Sequence, residues 1–97
     1  MYDLKYLKQA REDYNSLDNS QKRLVDKGIN RIRERGIQAG KPLSGDLKGC
    51  YKIKHRNAGL RIVFRQYKDE IQVMQIVAIG KRDKKIVYKL AEQRVKH

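Results

Sequence analysis

A row of basic residues alternates with other side chains between Cys50 and Arg56. Successive side chains of a β-strand point to opposite faces, so an extended segment here places Lys52, Lys54 and Arg56 on one face. Like charges repel, and folding alone gives no reason to align three of them. The row is therefore either a solvated outer face or a surface that binds an anion such as a phosphate group.

The charge of the whole chain bears on this choice. The 97 residues include 24 Lys and Arg against 11 Asp and Glu, a net charge of +13, and the pI is near 10.1. Residues 1–48 hold 11 basic and 7 acidic residues, a net +4, whereas residues 49–97 hold 13 and 4, a net +9. This excess predicts a polyanionic partner, most simply a nucleic acid, with an anionic membrane surface or an acidic protein as alternatives.

Few other side chains offer chemistry. The soft or borderline metal ligands are Cys50, His55 and His97, and none of them sits at metal-ligand spacing. Cys50 is expected to be a packing residue. His55 is expected to be structural and on the strand face away from the cations, with ligand contact or acid–base work as the alternative. The basic half has no paired carboxylates for hydrolysis, so the sequence predicts no metal and no cofactor.

Cellular location follows from similar considerations. One cysteine cannot form an internal disulfide, which fits a reducing cytoplasm. No apolar stretch approaches the roughly 20 residues that span a bilayer, and the first residues do not resemble a signal peptide. We therefore expect a cytoplasmic protein with no membrane partner.

The remaining chemistry belongs to cations and tyrosines. Guanidinium and ammonium groups can stabilise charge that develops on a phosphoryl group without a metal. Their positive field also lowers the pKa of a nearby tyrosine or lysine, which makes it a more usable base. From the residues alone, the chain is a basic single-domain nucleic-acid binder that could also be a metal-free nuclease.

These groups must be positioned by a small set of elements. Four segments alternate with period two and are predicted to be strands: 2–6, 50–56, 60–67 and 71–79. A short strand is also expected near 41–43. Apolar residues at helical spacing predict helices at 8–16 and 20–35 and a third after 80–83. The order β-α-α-β-β-β-α predicts an α+β fold with a mostly antiparallel sheet, an N-terminal helical hairpin on one face and a short C-terminal helix. One domain is expected to span residues 1–97.

The sequence also predicts where the helices begin, pack closely and end. Asp18 and Gln21 have the spacing of a capping box at the start of the second helix. Gly28 lies on the inward face of that helix, where it would allow close packing. Asp83 is expected to cap the last helix, and the tail 94–97 is expected to fray.

The strand at 71–79 is apolar on both faces. Alternation puts Val73 and Val77 on one face and Met74, Ile76 and Ala78 on the other. Strands that are buried on both faces lie inside a sheet, so this one is predicted to have a neighbour on each side.

Four segments together resemble the RelE branch of the RelE/ParE toxin superfamily: Cys50–Lys54, Arg56–Val63, Ile79–Asp83 and Val87–Tyr88. The element order matches over nearly the whole chain, and the motif match covers about residues 41–88. The resemblance implies a RelE-like fold and a toxin of a type II toxin–antitoxin pair. RelE-type members enter the ribosomal A site and cut mRNA there. The ribose 2′-OH attacks the adjacent phosphate and leaves a 2′,3′-cyclic phosphate and a 5′-OH.

The same resemblance implies roles for particular residues. The catalytic set would be Lys52, Lys54, Arg61, Arg82 and Tyr88. The two lysines would stabilise the phosphate and help to move protons, and Arg61 would stabilise the charge of the transition state. Tyr88 is the favoured base and Arg82 a candidate acid, although the sequence leaves open which of the tyrosine, the arginine and the lysines is base and which is acid. Four further cations are expected to contact RNA: Arg56, Arg65, Lys81 and Lys84.

The resemblance also implies partners and marks two departures. A cognate antitoxin similar to RelB would cover the basic site or displace the last helix, and mRNA and ribosomal RNA would be the other partners. Residues 83–86 are richer in lysine and apolar residues than the family pattern, and His55 stands where an apolar residue is expected. Two other classes remain. One is a ParE-like gyrase poison, which should lack the Lys-x-Lys, Arg and Tyr set, and the other is a non-catalytic RNA-binding module.

Overall fold

The structure is a computed structural model that describes residues 1–96. Its five strands are β1 (Asp3–Tyr6), β2 (Lys41–Pro42), β3 (Cys50–His55), β4 (Leu60–Tyr67) and β5 (Glu70–Lys81). Its three α-helices are α1 (Lys8–Asn15), α2 (Asn19–Arg35) and α3 (Ile86–Val95). The strands form one sheet in the order β1-β5-β4-β3-β2, in which only the β1–β5 pair is parallel. The predicted α+β fold is confirmed. None of the helices in residues 1–96 is long and apolar enough to cross a membrane.

Helices cover both faces of the sheet. The helical hairpin of α1 and α2 packs on one face, where Val25 and Ile29 of α2 join a core with Ile62 of β4. On the other face α3 packs, and its Val87 joins a second core with Cys50 of β3. Lys52 and Lys54 alternate in step with Cys50, so the basic row lies on the face that carries α3.

Helix α2 begins and packs as its sequence predicts. The Asp18 carboxylate accepts a hydrogen bond from the Gln21 backbone N–H at 2.8 Å, and the Gln21 side chain accepts one from the Asp18 N–H at 3.0 Å. This capping box satisfies N–H groups that the first turn leaves free. At Gly28, an added Cβ would lie 2.7 Å from Ile62 Cδ1 and 2.9 Å from His55 Nε2. The glycine therefore lets α2 approach the sheet closely, which confirms its predicted role.

Strand β5 lies between β1 and β4, so its predicted place inside the sheet is confirmed. Its alternation is interrupted by a β-bulge, because the register against β4 passes from Ile76 to Ala78 and leaves Val77 without a partner. Val77 and Ala78 consequently both join the core under α3, whereas Ile79 joins the other core. The prediction that Ala78 shares a face with Met74 and Ile76 is wrong, since counting by twos does not hold across a bulge.

The beginning of α3 also differs from the prediction. Asp83 starts a 3₁₀ turn instead of capping the helix, and the N-cap residue is Lys85, which makes no side-chain capping hydrogen bond. Lys84 and Lys85 both have positive φ angles, 51° and 58°. Residues with a Cβ seldom adopt this left-handed region. A turn therefore follows Arg82, closed by the Lys85 N–H, which donates to the Arg82 carbonyl at 2.8 Å.

The end of α3 is anchored. The Arg94 guanidinium donates to the Asp13 carboxylate at 2.6 Å and to the Val77 carbonyl at 2.9 Å. The predicted fraying is therefore wrong for Arg94, because an ion pair with a residue 81 positions away could not be read from local sequence. His97, the last residue of the predicted fraying tail, lies outside the described residues.

Candidate active site on the basic face

Strands β3 and β4 place three of the predicted catalytic cations side by side. Lys54 is directly opposite Arg61 in the antiparallel register, and Lys52 lies two residues along β3 on the same face. On the far side of β4, Arg61 is opposite Gly80, which has no side chain to cover it. The Lys52 Nζ lies 5.8 Å from the centroid of the Tyr88 ring on α3. Four of the five predicted catalytic residues therefore come together on one face.

Arg61 is buried without a counterion. Only 5% of its surface is exposed, and its Nη1 donates to the Leu60 carbonyl at 2.9 Å. Within residues 1–96, the one salt bridge joins Arg94 to Asp13, so no carboxylate neutralises Arg61. A buried charge is costly unless it is paired. An anion that binds on this face would supply the missing partner.

The cluster of cations changes the acidity of Lys54. The charge of Lys52 lowers the pKa of the Lys54 ammonium from its ordinary value of 10.5. Partial desolvation and the charges of Lys41, Arg56 and Arg61 act in the same direction. Lys54 therefore releases a proton more readily than an ordinary lysine. A bound phosphate would oppose this effect, because its negative charge favours the ammonium form.

Arg82 reaches the same end of the sheet by another route. Its backbone N–H donates to the Gly59 carbonyl at 2.9 Å, which joins the turn between β3 and β4 to the end of β5. Gly59 has a φ of 64°, a conformation that glycine adopts at little cost. The Arg82 side chain is exposed, and so are those of Lys81 and Lys84 on either side of it. These three cations form the exposed border of the basic face.

The two remaining predicted RNA contacts are far apart. Arg56 follows β3 and lines a cleft together with Lys54. Arg65 lies four residues beyond Arg61 on β4, about 13 Å along the strand at 3.3 Å per residue. Its Nε donates to the Gln75 side-chain oxygen at 2.8 Å. The structure thus brings Arg56 to the basic cluster and leaves Arg65 outside it.

Cys50 and His55 are placed for packing. Cys50 is 3% exposed, and burial raises the pKa of its thiol, which disfavours the reactive thiolate. His55 points to the opposite face of β3 from the lysines and contacts α2 beside Gly28. Its Nε2 is buried without a hydrogen-bond partner, and burial, followed by the charge of Arg31, lowers its pKa. Both placements support the structural roles expected from the sequence.

Two cations at the site were not singled out by the sequence. Arg31 of α2 and Lys41 of β2 line the cleft that contains Lys52, Lys54 and Arg56, and its volume is about 200 Å³. Only the pairing of β2 with β3 brings Lys41 opposite Lys52, and neither composition nor periodicity gives that register. No three His, Cys, Asp or Glu side chains in the described part of the chain are grouped to hold a metal ion.

Comparison with known proteins identifies relatives that match over nearly the whole chain, although no family model matches it. The chain is 33% identical to a putative RelE-like toxin protein of Escherichia coli. The match extends over 95 residues, which is 98% of each chain. It is also 30% identical to the mRNA interferase toxin RelE of the same species, over 94 residues or 97% of each chain. It also matches a chain of the intact E. coli RelBE toxin–antitoxin complex with a TM-score of 0.71 and 30% identity, over 84% of this chain and 96% of that one.

Proposed function

The chain belongs to the RelE-like toxin family, and from this membership and the basic face we propose that it cuts mRNA in the ribosomal A site and so inhibits translation. The observation that carries the proposal is the uncompensated cluster of Lys52, Lys54 and Arg61, with Tyr88 beside it. A cluster of this kind is suited to a phosphodiester, which brings negative charge and develops more during cleavage. The proposed enzyme is a metal-independent endoribonuclease.

The proposed reaction is a transfer within the RNA strand. The ribose 2′-oxygen attacks the adjacent phosphorus, the bond from phosphorus to the 5′-oxygen breaks, and the products are a 2′,3′-cyclic phosphate and a 5′-OH. Tyr88 acts as the base in its phenolate form: its own hydroxyl proton is first lost to solvent, and the phenolate oxygen then accepts the proton of the 2′-OH. Arg61 and Arg82 bind the phosphoryl oxygens, and their permanent charge stabilises the transition state.

Lys54 supplies the proton that the leaving 5′-oxygen requires. The choice between Lys54 and Arg82 as the acid rests on how readily each gives up a proton. A guanidinium stays protonated in proteins, whereas the pKa of Lys54 is already lowered, first of all by Lys52. Lys52 thus has two tasks, which are to attract the phosphate and to make its neighbour more acidic.

A RelB-like antitoxin is the proposed protein partner, since one solved relative is the intact RelBE toxin–antitoxin complex. Such a partner would neutralise the toxin by covering the basic face or by displacing α3, the element that carries Tyr88. Ribosomal RNA and mRNA would be the other partners, and the exposed Lys81, Lys84 and Arg56 would contact them.

The proposal is tested by incubating the purified protein with programmed ribosomes and mapping mRNA ends by primer extension. The wild type should create new ends within the A-site codon. Arg82→Ala and Tyr88→Phe should each slow single-turnover cleavage by about 100-fold or more, because each removes a group that acts on the reacting atoms. Thermal unfolding should show that both variants are folded.

Matched controls are available on the helical hairpin. Tyr14→Phe removes a hydroxyl from a tyrosine whose ring also has a lysine nearby, with Lys22 Nζ at 5.6 Å from its centroid. Arg23→Ala removes an exposed guanidinium from α2. Both should cut at the wild-type rate. Intact mRNA together with inhibited gyrase supercoiling would favour a ParE-like poison instead, and wild-type cleavage by both site variants would remove their residues from the mechanism.

A further inference from the structure

A cleft lined by cations adjoins the catalytic cluster at the edge of the sheet. The cleft of about 200 Å³ described above is lined by five cations: Arg31, Lys41, Lys52, Lys54 and Arg56. No aspartate or glutamate from the described residues is part of its lining. Arg31 and Lys41 come from elements outside the catalytic cluster, and both side chains are exposed. We call this space the Arg31–Lys41 cleft.

The backbone at the cleft is open on one side. Leu43 N–H donates to the Cys50 carbonyl at 2.9 Å, so the backbone groups of Cys50, Lys52 and Lys54 face the outer edge of β3. Strand β2 has only two residues and pairs no further than Lys52. The backbone N–H of Lys54 therefore lies past the end of β2, beside the cationic side chains, where an oxyanion could accept a hydrogen bond from it.

A glycine fixes the wall of the cleft. At Gly40, an added Cβ would lie 2.8 Å from the Lys52 carbonyl oxygen and 2.7 Å from the Phe64 ring. Only a residue without a side chain lets the segment before β2 come this close to β3. The position of Lys41 next to Lys52 therefore depends on a tightly packed backbone and not on a mobile loop.

We propose that the Arg31–Lys41 cleft binds a second phosphate of the RNA strand, adjacent to the phosphate that is cut. Lys52 and Lys54 border both positions, so the two anions would be neighbours, as successive phosphates of one strand are. The open edge of β3 amounts to a single residue, Lys54, which suits a compact anion better than an added peptide strand. This inference rests on the proposed function, because it gives the same substrate a second contact.

The test uses three trinucleotides that carry a neutral fluorophore and 2′-O-methyl groups, which prevent cleavage. One has two ordinary phosphodiesters, and each of the others has a neutral methylphosphonate at one of the two linkages. For the wild type, each replacement should weaken binding about fivefold, as expected for a partly exposed charge pair. We call each loss of affinity the penalty of that linkage. In the double variant Arg31→Gln/Lys41→Gln, the penalty of one linkage should disappear and that of the other should remain.

The matched control is Arg23→Gln/Lys48→Gln, which removes the same amount of charge from exposed positions that do not line the cleft. It should keep both penalties. The inference is overturned if the cleft variant keeps both penalties, if both penalties shrink alike, or if the wild type shows neither. Retained RNA penalties with weakened binding of a polyglutamate peptide would assign the cleft to an acidic protein instead.

The same proteins on programmed ribosomes separate this inference from the proposed function. A wild type that leaves mRNA intact, although one penalty vanishes in the cleft variant, would reject the nuclease and keep the phosphate position. A wild type that cuts mRNA, although the cleft variant keeps both penalties, would reject the cleft alone.

Discussion

Arg61 and the Nε2 atom of His55 are both buried, but Arg61 is charged whereas burial favours the neutral form of His55. Arg61 keeps its charge in a buried position without a carboxylate partner in residues 1–96. His55, on the other face, has a buried Nε2 with no partner, so its neutral form is favoured. The two residues therefore respond to different changes, Arg61 to the binding of an anion and His55 to a fall in pH. An anion can neutralise Arg61, whereas His55 is disturbed whenever acid adds a proton to it.

His55 should make the stability of the protein depend on pH. Its pKa is lowered by burial first, and then by the charges of Arg31, Arg61 and Lys27. The unfolded chain therefore binds this proton before the folded one does, so the free energy of unfolding should fall as pH drops through about 6.5. Between about pH 7.5 and pH 5.5 this one group can lower the free energy of unfolding by at most about 1.4 kcal/mol, and solvent screening of the half-buried ring reduces the loss further. Urea unfolding at about pH 7.5 and pH 5.5 measures it.

The control for this prediction is His55→Gln, which cannot take up the proton. All other titrating groups are common to both proteins, so the difference between their pH dependences isolates His55. An equal loss of stability in both proteins would show that this histidine titrates alike in the folded and unfolded chain.

At the scale of elements, one ion pair fastens α1 and α3 to the sheet. Strand β1 pairs with residues 73–76 of β5 and goes no further. Beyond that point the Asp13 carboxylate accepts from the Ile79 N–H at 3.0 Å, and Arg94 donates to the Val77 carbonyl at 2.9 Å. Side chains from two helices thus complete the hydrogen bonding of a strand edge that no neighbouring strand covers.

Asp13→Ala should therefore be strongly destabilising. The Asp13 and Arg94 side chains are only 15% and 11% exposed, and truncation leaves Arg94 without its counterion and the Ile79 N–H without its acceptor. We expect a loss of about 2–4 kcal/mol in the free energy of unfolding, measured by urea denaturation. Asp26→Ala is the control, since Asp26 accepts a hydrogen bond from Tyr14 at an exposed position and should cost less than about 1 kcal/mol. Equal effects of the two changes would contradict the role given to the ion pair.

Periodicity recovers the elements but not the contacts between distant ones. The helices, the strands and the capping box follow from neighbours in sequence, and they agree with the structure. The bulge at Val77 and the anchoring of Arg94 do not, because each depends on residues that meet only in the folded chain. The candidate site divides in the same way. The Lys52 and Lys54 row is visible in the sequence, whereas Arg31 and Lys41 join it through packing and strand register.

The whole molecule carries its charge unevenly. The net charge is +13, and the half from residue 49 onward accounts for +9 of it. That half supplies β3, β4, β5 and α3, which build the basic face. A single-sign field of this kind attracts polyanions over a distance and raises their association rate, and salt weakens both effects. The affinity of the protein for RNA should therefore depend strongly on salt.

The salt dependence gives a count of phosphate contacts. On single-stranded RNA each contact contributes about −0.7 to the slope of log affinity against log salt, so the four catalytic cations alone predict a slope of about −2.8, or roughly a 50-fold loss from about 50 to about 200 mM KCl, and the other cations proposed to contact RNA would make it steeper. Binding of an uncleavable 2′-O-methyl oligonucleotide, followed by fluorescence anisotropy, measures it. Lys54→Gln should make the slope shallower by about 0.7, and Arg23→Gln should leave it unchanged because Arg23 lines neither the basic face nor the Arg31–Lys41 cleft. Equal slopes in all three proteins would mean that Lys54 holds no phosphate, and a flat response in the wild type would mean that the net charge has no part in binding RNA.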